Sequence, residues 1–95
     1  TLVGAQPVAW DIAGAVVEWQ LDAAGGAQLL AAFAAAGGGA IAAPVLRFYQ
    51  AAYLALRAGQ CSLAAAVHDP YERDRLLAAY ERYRNQLNEL LAALA

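Results

Sequence analysis

Methionine and lysine are both missing from this chain of 95 residues, and cysteine occurs once. The lack of Met, in a sequence that opens on Thr1, raises the expectation that the chain is a piece of a longer protein. Without Lys, all the positive charges are Arg. The six Arg are interleaved with eight acids, for a formal net charge of −2. A phosphate backbone is bound by clustered cations, so nucleic acid is not expected as a partner. The lone Cys61 excludes an internal disulfide framework and suits a reducing compartment, so a cytoplasmic location is expected. The opening residues lack the basic start of a signal peptide.

Charge is scarce altogether. Charged residues make up 15% of the chain and hydrophobic ones 62%. Residues 23–46 carry no charge at all. That stretch has the length of a membrane span, but it is mostly Ala and Gly, with a triple Gly and a Pro. Too few large aliphatic side chains are present for it to insert well, so no membrane partner is expected. Small domains bury a smaller share of their surface than large ones. Trp10, Trp19, Phe33, Phe48 and five Tyr are hard to hide in so short a chain. The excess predicts cover from outside: a missing N-terminal part of the same protein, or a second copy of the chain.

The hydrophobic pattern predicts an all-α fold, a small bundle within one helical domain or fragment spanning 1–95. Four helices are expected, or five if Gly59 breaks the third. The first covers about 7–21. Pro7 suits a first helical position, and Val8, Ile12, Val16 and Trp19 recur at helical spacing. Asp22 reads as the N-cap of a second helix over 22–37, ended by Gly37-Gly38-Gly39. The third, over 44–67, carries Leu46, Tyr49, Tyr53, Leu56 and Leu63 near one face. The fourth, over 69–94, has the clearest start: Asp69 as cap, Pro70 next, and Glu72 three residues after the cap as in a capping box. Leu76, Tyr80, Tyr83, Leu87, Leu90 and Leu94 then form a heptad seam. Glu72 with Arg75 and Glu81 with Arg84 are spaced to pair at i,i+3.

The segment "PVAWDIAGAVVEW", residues 7 to 19, sets a carboxylate inside an apolar run. Asp11, Glu18 and Asp22 share a side of the helix, seven and then four residues apart. Seven residues is about 10.5 Å of rise, too far for two carboxylates to hold one ion, so no metal site is expected. In a helix starting at Pro7, Asp11 lies in the first turn, where the helix dipole favours an acid. From there it is placed to brace a neighbouring backbone. Gly14, one turn on, lets another backbone approach closely. Elsewhere Cys61 reads as a buried small residue and His68 as an exposed turn residue. The tyrosines read as core rather than as a box for a cationic ligand. Arg47 and Arg57 are expected to pair with acids of the first or fourth helix.

Around Asp11-Ile12-Ala13 the segment resembles one in aminoglycoside-phosphotransferase-like and choline-kinase-like enzymes. There it follows the metal-binding Asp and opens the helical C-terminal subdomain. It also echoes the D-x-W-S-x-G helix of protein kinases, whose Asp braces the catalytic loop. "FYQAAYLALRAGQCSLAAA" and "ERDRLLAAYERYRNQLNELL" are similar in pattern to the last helices of that subdomain, so the resemblance covers essentially the whole chain. It implies a kinase-like phosphotransferase acting on a small-molecule acceptor, with ATP and Mg as cofactors of the full-length enzyme. Asp11 is the one residue that carries over, as brace of the catalytic loop. The family's H-x-D-x-x-x-x-N loop and following metal-binding acid do not occur here. No catalytic, metal or cofactor-binding residue is therefore expected in this segment, and no activity from it alone. The other reading is a free-standing helical interaction or dimerisation module, pairing through the seam of the fourth helix.

Overall fold

Helical spacing and two capping acids become four α-helices in the computed structural model, which describes the backbone of residues 2–94 and the side chains of 8–94. They are α1 (Leu2–Glu18), α2 (Ala23–Phe33), α3 (Ala43–Ala65) and α4 (Pro70–Leu94), with a π-helical turn, Ala34–Gly38, following α2. No strand occurs among the described residues. The fold class is all-α, as the pattern predicts.

The start of α1 differs from expectation. The helix is already formed at Leu2 and runs through position 7, whose side chain lies outside the described residues. Proline marks a start because its missing N–H goes unused in the first turn. Its φ is helical, but beyond the first turn it also loses one hydrogen bond and crowds the carbonyl four residues back, at a cost of about 3 kcal/mol.

The end of α1 comes early too, at Glu18 rather than Leu21. Gln20 turns left-handed, with φ +53°, the one non-glycine residue to do so among those described. The Gln20 N–H donates to the Val17 carbonyl at 3.1 Å, and the Leu21 N–H donates to the Val16 carbonyl at 3.0 Å. This pair of bonds is the Schellman pattern, which satisfies carbonyls left over at a helix end. Its usual hydrophobic contact is present as well, since Leu21 packs against the cluster that contains Val16.

Asp22 caps α2 as expected, its Oδ1 accepting the Gly25 N–H at 2.7 Å. Past Phe33 the coil widens into the π-helical turn and stops within the glycine run, where Gly37 and Gly39 take φ values of +90° and +84°. A side chain at either would be strained there. Gly59 does not break α3, which is continuous across it. One interior glycine costs only about 1 kcal/mol relative to Ala, too little to interrupt a long helix. At the head of α4, Asp69 Oδ1 accepts the Glu72 N–H at 3.0 Å. The reciprocal half of a capping box does not form, because Glu72 turns forward to Arg75.

Residue contacts divide the chain into two compact units, Thr1–Gln50 and Ala51–Ala95, with the division inside α3. In the first unit Ile12, Ala13, Val16 and Leu46 are buried together. Val8, Leu21, Leu29, Leu30, Phe33, Ile41 and Tyr49 close around them, partly buried. In the second unit Leu54, Ala58, Cys61 and Ala65 of α3 and Tyr83 of α4 are buried. The α4 seam is its sheltered stripe: Tyr83 is buried, and Leu76, Tyr80, Leu87 and Leu90 are half-buried, while Leu94 is exposed.

Candidate functional site

The carboxylate in the apolar run of α1 has a direct structural explanation. Ile12, Ala13, Gly14, Val16 and Val17 are buried, whereas Asp11 and Glu18 are exposed. Seven residues is close to two helical turns, so both acids line up on the water side, and Asp22 beyond them is exposed as well. An ionised carboxylate stays hydrated on that line at no desolvation cost. Among the described residues Asp11 makes no hydrogen bond and no ion pair.

The early start of α1 moves Asp11 out of the first turn and into the middle of a 17-residue helix. The helix-dipole effect falls off within the first turn, so that reason for an acid at position 11 is withdrawn. Gly14 is buried, one turn on from the exposed acid. No three residues among His, Cys, Asp and Glu come together as a metal site would need, among the described residues.

The two cations of α3 have different surroundings. Arg57 lies over the ring of Tyr83, its guanidinium carbon 5.3 Å from the centroid. It donates to Gln60 Oε1 at 2.8 Å, and to the Tyr83 hydroxyl at a long 3.4 Å. The π-face that would serve a cationic ligand is thus occupied by the protein's own guanidinium. Arg47 makes no ion pair among the described residues, and its Nε is buried without a hydrogen-bond partner. Tyr49 packs edge-on against Trp10, with centroids 6.3 Å apart, and against Phe48 at 5.5 Å. Cys61 is a buried free thiol and His68 an exposed turn residue.

The salt bridge at the head of α4 is as the spacing predicts. Arg75 Nε donates to Glu72 Oε2 at 3.1 Å, and the second guanidinium nitrogen meets the other oxygen. Hydrogen bonding from Arg75 holds the Glu72 carboxyl below its ordinary value, and the same contact raises Arg75. Glu81 and Arg84 approach only to 4.0 Å, both well exposed. Such pairs contribute little to stability.

The feature that sequence reasoning missed is apolar exposure along α3. Leu56 and Leu63, which the spacing sets near one face with Leu46, are 46% and 76% exposed. The buried face is Leu54, Ala58, Cys61 and Ala65 instead. These buried positions are mainly small. Trp19, Phe48, Val67 and Tyr71 are also more than half exposed. The helical spacing places Trp19 on the α1 face with Ile12 and Val16. It falls just beyond the helix end and turns outward.

No single helix among the described residues is long and apolar enough to cross a membrane. The pair Ala23–Gly38 and Ala43–Ala65 reaches that length and composition only together, across a sharp bend. No family model, no curated protein and no solved structure matches the chain.

Proposed function

We propose that this chain is a helical protein–protein interaction module, whose outward apolar side chains are covered by another polypeptide. Apolar exposure carries the reading. Tyr71 and Val67 are 81% and 82% exposed, and Trp19, Phe48 and Leu63 are mostly exposed too. Aromatic and large aliphatic side chains left in water on so small a chain mark contact surface. The cover is the remainder of the same protein or a second copy. Arg residues dispersed among acids speak against nucleic acid. The thin supply of large aliphatics in 23–46 speaks against a membrane. A lone buried thiol suits the cytoplasm. The test combines light scattering with binding of an apolar fluorescent dye. Association, or dye binding by the monomer, is expected. A monomer at every concentration that binds no dye overturns the reading.

The second reading keeps the resemblance to kinase-like phosphotransferases, and Asp11 supports it. An exposed acid among buried and half-buried neighbours, with no partner among the described residues, is available to a backbone segment supplied from upstream. On that reading the chain is a non-catalytic support, and ATP and Mg bind in the upstream part. The full-length protein then releases ADP in the presence of a hydroxyl or amine acceptor, and Asp11→Asn lowers that rate at least tenfold. An upstream sequence without H-x-D-x-x-x-x-N overturns it.

A further inference from the structure

We propose that a second copy of this chain docks antiparallel on the outer face of α3 formed by Ala52, Leu56, Gly59 and Leu63. The inference deepens the interaction-module reading and rests on it. These four residues are spaced 4-3-4, so they share one stripe of the helix, opposite the buried Leu54–Ala58–Cys61–Ala65 face. Leu56 and Leu63 are 46% and 76% exposed, and Gly59 is exposed between them.

Side-chain volume selects the occupant. Along the stripe the residues run small, large, small, large. Placed antiparallel on itself, with a two-fold axis between positions 57 and 58, the stripe sets Leu63 of one copy over Ala52 of the other. Leu56 of one copy then lies over Gly59 of the other. Every large residue meets a small one, and the same contacts form twice, as a closed two-fold interface requires. A parallel pairing would instead set Leu against Leu and Gly against Gly, crowding one level and leaving a void at the next. Room for the incoming Leu is real, because a Cβ built at Gly59 meets nothing of its own chain within 4 Å.

Charge agrees. Arg57 is the only charged residue from position 51 to 65. It lies roughly 130° around the helix from the stripe, at 3.6 residues per turn, and is held by Tyr83 and Gln60. Residues bordering the stripe, Ala55, Gln60 and Ser62, are exposed and uncharged. Two copies therefore meet here without bringing like charges together, and an anionic partner finds no cation on this face.

The experiment uses the whole 95-residue chain. Sedimentation equilibrium of the wild type is expected to show a dimer. Gly59→Leu adds bulk at the hollow, where its Cβ meets nothing of its own chain within 4 Å, and improves helix propensity. It is expected to keep its helical circular dichroism while weakening dimerisation at least tenfold. Direction is read by disulfide formation under mild oxidation, with the wild type as background for Cys61. A mixture of Ala52→Cys and Leu63→Cys chains is expected to cross-link to each other, and neither chain to itself. Self-cross-linking of each variant, or a Gly59→Leu chain that dimerises as well as wild type, overturns the inference and leaves the interaction-module reading standing. A wild-type monomer at every concentration also overturns it. Dye binding then decides separately whether some other polypeptide covers these faces.

Discussion

Gln20 is the position where a single substitution tests most directly how α1 ends. Its φ of +53° places an L-residue in the left-handed region. The clash of Cβ with the following carbonyl costs roughly 1–2 kcal/mol there. Glycine removes that cost but brings a more flexible unfolded chain, which takes back about 0.4–1 kcal/mol. The net expectation for Gln20→Gly is stabilisation by about 0.5–1 kcal/mol. For a domain of this size that raises Tm by about 2–8 °C. Both closing hydrogen bonds are from backbone N–H groups, Gln20 to Val17 and Leu21 to Val16, and survive the change. Gln20→Ala is the control. It retains Cβ and is expected within about 0.5 kcal/mol of wild type, as for an exposed site without special contacts. Thermal melts followed by circular dichroism, at one low protein concentration, read both variants. If Gln20→Gly melts at or below wild type, together with Gln20→Ala, the left-handed turn does not end α1 and the Schellman assignment is wrong.

Three further outcomes follow from the same geometry. Asp69→Ala removes the acceptor for the Glu72 N–H and is expected to destabilise the chain by about 1 kcal/mol in urea unfolding; Asp69→Asn, which keeps an acceptor, recovers most of it. Leu54→Ala hollows a site only 2% exposed and is expected to cost about 2–5 kcal/mol, so a loss below about 1 kcal/mol would contradict its burial. Glu72 titrates below its ordinary value when folded, because Arg75 hydrogen-bonds its charged form. Its contribution is therefore complete above the ordinary carboxyl range of about 4–4.5 and is lost as pH falls through the lowered folded value. Glu72→Gln should flatten that part of the stability profile below about pH 4.5 and leave the alkaline side alone; an unchanged acid limb counts against the Glu72–Arg75 pair.

Local chemistry was enough to read the all-α class, the cap at Asp22 and the start of α4 at Asp69-Pro70. An acid before an apolar run, or a proline that needs no N–H, acts within a few residues and does so wherever the helix goes. Solvation likewise follows from charge, so the line of Asp11, Glu18 and Asp22 stands in water. Other features depended on partners distant in sequence. The turn at Gln20 has no glycine to announce it, and Leu21 packing onto the Val16 cluster accompanies it. Apolar residues lie on two sides of α3, so periodicity alone is ambiguous there. Only the folded chain shows that small Ala58, Cys61 and Ala65 are buried while Leu56 and Leu63 are left outside. Position along a helix also had to come from the structure. Asp11 became a mid-helix residue once α1 began at Leu2, because a helix start depends on residues preceding the proline as well as on the proline itself.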